Sequence, residues 1–293
     1  MKPAGVFVLT LTAVFMTAGV SVSSTEAPAR SGVPTAGLPA KTAELSVGYE
    51  FSEMFWAMQG ISSADLADRV SESVAKLRMG IDWGTTAAIE APYLINKSTN
   101  SYYPSIREEY GLRAPTVSLD KTFGDPANGT AISAGVGYQG YDRDMMSRLN
   151  DAVIANIAAS TTAGPSIRVY GQYRAAVKTA NANSRHILEM GLSDRNATGS
   201  HGEVSIFAES VPSTTITYSP SSSTTTPVTY QAGVIVGGGV TSQILLREGL
   251  FLEPHGKVYF ATDRTIRVNG ASVGATGFSG FNVGLSVTYS FNY

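Results

Sequence analysis

The chain contains no cysteine, only three histidines and two tryptophans, and few charges of either sign. Without cysteine there is no disulfide framework, thiolate zinc site, iron–sulfur cluster or cysteine nucleophile. With three histidines no multi-histidine metal centre is expected, and no cofactor is expected. Lys and Arg number 21 against 23 Asp and Glu, a net charge of −2. That balance argues against nucleic acid as a partner, because phosphate binding calls for a basic excess. Charged residues amount to 15%, well under the usual quarter of a soluble domain. Hydrophobic residues at 43% exclude a disordered chain. Beyond the first 20 residues no apolar run approaches the ~18 residues that suggest a membrane-spanning helix.

The N-terminus reads as an export signal. Lys2 precedes an uncharged apolar run from Val6 to Val20, followed by Ser21, Ser23 and Ser24. This order matches a secretory signal peptide over 1–24, with cleavage expected near Ser24. Residues 25–42 follow as a leader with Pro28, Pro34, Pro39, Gly32 and Gly37, expected to be flexible and outside any core. The remaining 43–293 are expected to form one domain.

The last segment sets the class. Phe281, Val283, Leu285, Val287, Tyr289, Phe291 and Tyr293 take one face of a strand; Asn282, Gly284, Ser286, Thr288, Ser290 and Asn292 take the other. Soluble strands usually run five or six residues. A tilted transmembrane strand needs roughly 9–11, with an apolar outer face and aromatic girdles at both interfaces. This segment resembles the C-terminal strand of bacterial outer-membrane β-barrel proteins. The resemblance implies a closed all-β, antiparallel transmembrane barrel in the outer membrane, with periplasmic termini. It also implies that Tyr289, Phe291 and Tyr293 carry the signal read by the barrel-assembly machinery. The partners implied are that machinery and outer-membrane lipid.

Similar alternation recurs in 44–51, 76–83, 87–94, 117–123, 132–139, 167–177, 185–193, 203–218, 228–240 and 251–262. A weaker strand at 152–161 brings the total to twelve. Two helices compete with this pattern. Ser62 and Asp65 have capping-box spacing before Leu66, Val70, Val74 and Leu77, which predicts a short helix in the first surface loop. Met146, Leu149, Val153 and Ile157 fit a second helix, which would reduce the count to ten. Short turns are expected near Gly84, Asp125, Gly164, Asn196 and Leu246, and longer loops near Ile61, Tyr102, Asp144, Gly270 and the Ser219–Pro227 tract.

Catalytic motifs are weak. Gly135–Gly140 matches G-x-G-x-x-G but lacks the parallel βαβ context of a dinucleotide site. Gly270–Gly274 matches G-x-S-x-G but lies where a loop between two strands is expected, not at a strand-to-helix elbow. His186 shares a face with Leu188 and Met190, His201 falls in a turn, and His255 points inward with Glu253 and Lys257. None has an obvious Ser and acid partner in sequence, so no enzyme activity is expected.

Projecting the alternation inward makes Arg78, Asp82, Glu90, Asp120, Arg168, Arg174, Glu189, Glu253 and Lys257 the pore-lining candidates. Charges in a pore set ion preference, although opposed charges can also bridge and close it. The function expected first is a porin-like passive channel for small hydrophilic solutes. A non-conducting barrel that is structural or binds a partner comes second, and a lipid hydrolase third.

Overall fold

The computed structural model describes residues 34–58, 67–99, 111–113, 115–125, 129–140, 151–164, 166–178, 184–195, 200–221 and 224–293. The expected signal peptide lies outside them. The strands are β1 (Thr42–Met58), β2 (Ala67–Asp82), β3 (Thr85–Thr99), β4 (Gly111–Leu112), β5 (Thr116–Gly124), β6 (Ala131–Gln139), β7 (Ala152–Thr162), β8 (Ile167–Lys178), β9 (Ser184–Arg195), β10 (His201–Val211), β11 (Thr214–Ser221), β12 (Thr224–Tyr230), β13 (Gly233–Arg247), β14 (Leu250–Val268) and β15 (Ala271–Asn292). No helix occurs among the described residues.

Twelve of these strands close an antiparallel barrel. Neighbours pair in sequence order from β1 to β3 and β5 to β10, then β13 to β15, and β15 returns to β1. Val47 pairs Val287 and Tyr49 pairs Leu285 across that closing seam. Closure leaves no strand edge within the barrel wall, a requirement for any sheet crossing lipid. β4 is a two-residue addition beside β3. β11 with β12 forms a hairpin that falls between β10 and β13 in sequence and pairs with the end of β14, Tyr230 opposite Ile266 and Val228 opposite Val268.

The alternation in sequence becomes an inside-out distribution of polarity. On β15, Val283, Leu285 and Val287 are exposed on the outer face, whereas Thr288 and Ser290 are buried on the inner one. The same outward set includes Ile89 on β3, Leu119 on β5, Val136 on β6, Leu188 and Met190 on β9, and Ile206 on β10. Phe51 and Phe281 meet near one end of this apolar band, and Tyr289 stacks on Phe291 near the other. A soluble protein does not leave a continuous aliphatic belt exposed around its girth; lipid solvates it.

Four expectations need correction. The first helix does not form over 67–77, which belong to β2; residues 59–66 lie outside the description. Val70 and Val74 share a helical face in sequence, but here they lie on the inner face, where Val74 is set opposite Gly48. The second helix does not form over 152–157, which lie in β7, so the barrel has twelve strands rather than ten. The strands expected over 203–218 and 228–240 each break, because Pro212 and Ser213 separate β10 from β11 and residues 231–232 separate β12 from β13. The connection near Gly270 is a tight turn, not a long loop. Asn269 and Gly270 have φ of 51° and 82°, which is the left-handed pair a two-residue type I′ hairpin turn requires.

The leader also differs from expectation near its end. Residues 34–41 run beneath the lumen as a strap across the periplasmic mouth. Thr35 is 0% exposed and Leu38 6%. The strap is tied across the mouth by hydrogen bonds to three separate strands. Thr35 Oγ1 bonds Ser160 Oγ at 2.5 Å, Thr122 donates to the Thr35 carbonyl at 3.1 Å, and Leu38 N donates to Thr86 Oγ1 at 2.8 Å.

Candidate functional site: the barrel lumen

Strand pairing decides which side chains meet inside. β1 and β2 place Glu44 opposite Arg78 and Ser46 opposite Lys76; β2 and β3 then place Lys76 opposite Glu90. Arg78 Nη1 donates to Glu44 at 2.9 Å, and Arg78 Nη2 to the Ala36 carbonyl of the strap at 3.1 Å. Lys76 pairs Glu90 at 3.2 Å. Arg113 pairs Glu72, and Arg185 pairs Glu209. His255 Nε2 lies 3.6 Å from Glu50.

On the β14–β15 wall, the Glu253 carboxylate accepts from Gln243 Nε2 at 2.6 Å, Thr288 Oγ1 at 2.5 Å and Ser286 Oγ at 3.3 Å. Between these walls is a cavity of about 180 Å³, lined by residues that include Lys76, Glu90, Glu50, His255, Glu253 and Ser286.

Large inner side chains are accommodated by glycines on the neighbouring strand. A Cβ on Gly284 would lie 2.3 Å from His255 Nε2, and one on Gly191 would lie 2.5 Å from the Tyr170 ring. The bulky groups therefore lie flat along the wall and leave the axis clearer than their volumes suggest. Gly135 does the same for Asp120, whose Oδ1 would sit 1.9 Å from a Cβ there. That accounts for the G-x-G pattern without any nucleotide. The G-x-S-x-G match is not a loop: Ser272 lies in β15, paired with Arg267.

Among the nine expected lining residues, Arg78, Glu90, Asp120, Arg168, Arg174, Glu189, Glu253 and Lys257 all fall on the inner face. Asp120 accepts from Asn156 at 2.8 Å. Arg168 is 7% exposed, packed low in the barrel. Arg174 is opposite Ile187 and exposed to the lumen. Glu189 is opposite Phe207, and the Lys257 ammonium sits 5.8 Å from the Phe207 ring centroid.

Asp82 is the exception. The register of β2 against β3 shifts between Gly80 and Asp82, which carries Asp82 to the periplasmic rim. There it pairs at 3.1 Å with Lys121, a residue on the outer face of β5, and its side chain is 62% exposed.

Glu72 and Arg113 were missed in the sequence because 62–77 matched a helix and 111–115 carried no strand signal. Lys76, the first residue of the strand expected over 76–83, was left out of the lining set although it shares the face of Arg78. Reading the alternation of β2 backwards from Arg78 through Lys76, Val74 and Glu72 would have found two of the three.

Tyr293, at the chain end, is tied to the periplasmic rim: its N–H donates to the Lys41 carbonyl at 2.9 Å and its hydroxyl to the Gly80 carbonyl at 3.1 Å.

No protein-family model and no curated protein matches this chain. Solved structures do. An outer-membrane channel from Pseudomonas putida F1 aligns over 88% of this chain and 98% of its own, with TM-score 0.64 and 12% identity. A FadL homologue from Pseudomonas aeruginosa aligns over 92% and 98%, with TM-score 0.47 and 9% identity. At such identities the likeness speaks for the fold and not for the cargo. With the apolar girth, the polar interior and the closed seam, the likeness to the Pseudomonas putida channel gives this chain the fold of a bacterial outer-membrane β-barrel, closed by twelve strands.

Proposed function

We propose that this barrel is a passive outer-membrane channel for small hydrophilic solutes, narrowed at its periplasmic mouth by the strap of residues 34–41. The carrying observation is the inner face, where ion pairs and hydroxyls line a mid-height cavity and glycines let the larger groups lie along the wall. Barrels of about eight strands are filled by their side chains and those of sixteen or more leave a wide channel, so twelve strands suit a narrow one. Arg78, Glu90, Asp120, Arg174, Glu189, Glu253 and Lys257 are the residues assigned to its lining. Tyr289, Phe291 and Tyr293 are assigned to recognition by the assembly machinery.

The test is planar-bilayer conductance of the purified protein: stable current steps support the channel, and silence across voltages contradicts it. The second reading is a non-conducting barrel, favoured by the strap, which is hydrogen-bonded across the mouth at Ser160, Thr122 and Thr86.

A further inference from the structure

On the outer face of the barrel, at its extracellular rim, three side chains form a hydrogen-bonded relay that the channel reading does not use. Ser184 opens β9 and His186 follows two residues later on the same face. Ser184 Oγ lies 2.6 Å from His186 Nε2. Tyr173, on neighbouring β8, places its hydroxyl 2.7 Å from His186 Nδ1, with the two rings stacked at an interplanar angle of 18°. The His186 backbone is held as well: its N–H donates to Ser210 Oγ on β10 at 3.0 Å.

We propose that Ser184, His186 and Tyr173 form an esterase site for long-chain acyl esters of the outer leaflet. Each contact has a role in that chemistry. With the proton on Nδ1 donated to the Tyr173 oxygen, Nε2 is left as the acceptor of the Ser184 hydroxyl. A nucleophile within reach of a base, which a third group orients, is the arrangement that activates a serine, and it recurs with a neutral third member.

The position fits a lipid substrate. Directly membraneward of His186 on β9, Leu188, Met190 and Leu192 are each 54% exposed, and Ile206 on β10 is 66% exposed. Acyl chains lying on this stripe bring their ester carbonyls up to the rim. The Ser210 hydroxyl, whose oxygen accepts from His186 N–H, keeps its own proton to donate to a developing oxyanion.

The reaction balances with water alone. Ser184 Oγ adds to the ester carbonyl carbon while its proton passes to Nε2. The bond to the alcohol oxygen breaks, and the leaving alcohol takes that proton. Water then adds to the acyl-serine, giving its proton to Nε2. The acyl–Oγ bond breaks, Ser184 regains its proton and a free fatty acid leaves. None of this requires a conducting lumen.

The test uses the full mature chain refolded in detergent micelles, with heat-modifiable gel mobility as the check of folding. A fluorophosphonate probe is expected to modify Ser184, located by peptide mass spectrometry. The modification rate is expected to fall about 100-fold or more in H186Q, the usual scale for losing a general base. Y173F, which removes a positioning group, is expected to lower kcat on a soluble acyl ester and leave KM unchanged. Vesicles of lipopolysaccharide and vesicles of phosphatidylethanolamine, assayed separately for fatty-acid release, identify the ester source; release from either that S184A abolishes supports the proposal. A folded protein whose Ser184 is unmodified, modification indifferent to H186Q, or release indifferent to S184A overturns it.

Discussion

Gly284 shows how tightly single residues are specified inside this barrel. Its Cβ position is taken by the His255 ring, so Gly284→Ala has to push His255 into the lumen and away from Glu50. Overpacking of this kind costs about 1–3 kcal/mol. Gly256→Ala is the matched control on the outer face, where a Cβ would meet nothing closer than 3.6 Å. Urea unfolding in lipid vesicles should therefore show a loss for Gly284→Ala and near-silence for Gly256→Ala; equal effects would contradict the inner packing.

Arg174 tests the lumen electrostatically. It is exposed on the inner face, so Arg174→Glu should move the reversal potential toward cation preference, since charges lining a pore set ion preference. Unchanged selectivity in a conducting channel would remove Arg174 from the lining.

Elements differ in how far the sequence revealed them. β15 was legible because its apolar face meets lipid and its polar face meets water, so burial and alternation coincide. β2 was not, because Val70 and Val74 face inward and break the outward pattern, leaving a spacing that also suits a helix. β7 carried a weak signal because four of its eleven residues are alanines, spread over both faces. The turn at Asn269-Gly270 was legible in principle, as Asn-Gly is the strongest short hairpin signal.

The strap was hidden for a different reason. Residues 34–41 have no periodicity, and they are held by hydrogen bonds to hydroxyls on β3, β5 and β7 that only the closed barrel brings together. Removing residues 25–38 should leave the barrel intact and raise single-channel conductance; an unchanged conductance would show that the strap does not narrow the path. The β11–β12 hairpin is equally separable, because β10 and β13 still pair through Val211 and Gly233. Joining residue 212 to residue 232 through two glycines should preserve heat-modifiable mobility, and its loss would make the hairpin part of the barrel's stability.

At the scale of the whole molecule, the fold class was legible and the composition of the site only partly so. Alternation places a residue on a face, which put eight of the nine expected charges inside. It carries no register, so the pairings Arg78–Glu44, Lys76–Glu90 and Arg113–Glu72 and the displacement of Asp82 emerge only from the paired strands.

The central claim is that lipid surrounds this sheet and a water-reached lumen runs inside it. The absence of native cysteine makes that claim directly measurable, since any thiol introduced is the only one present. The measurement is single-cysteine labelling along β15 in lipid vesicles, using Ser286→Cys and Asn282→Cys for the inner face and Leu285→Cys and Val287→Cys for the outer. A membrane-impermeant, water-soluble thiol reagent should modify the inner pair. Fluorophores attached to the outer pair should be quenched by brominated lipid. Outer thiols reached by the reagent as readily as inner ones, or inner fluorophores quenched by lipid, would contradict the account.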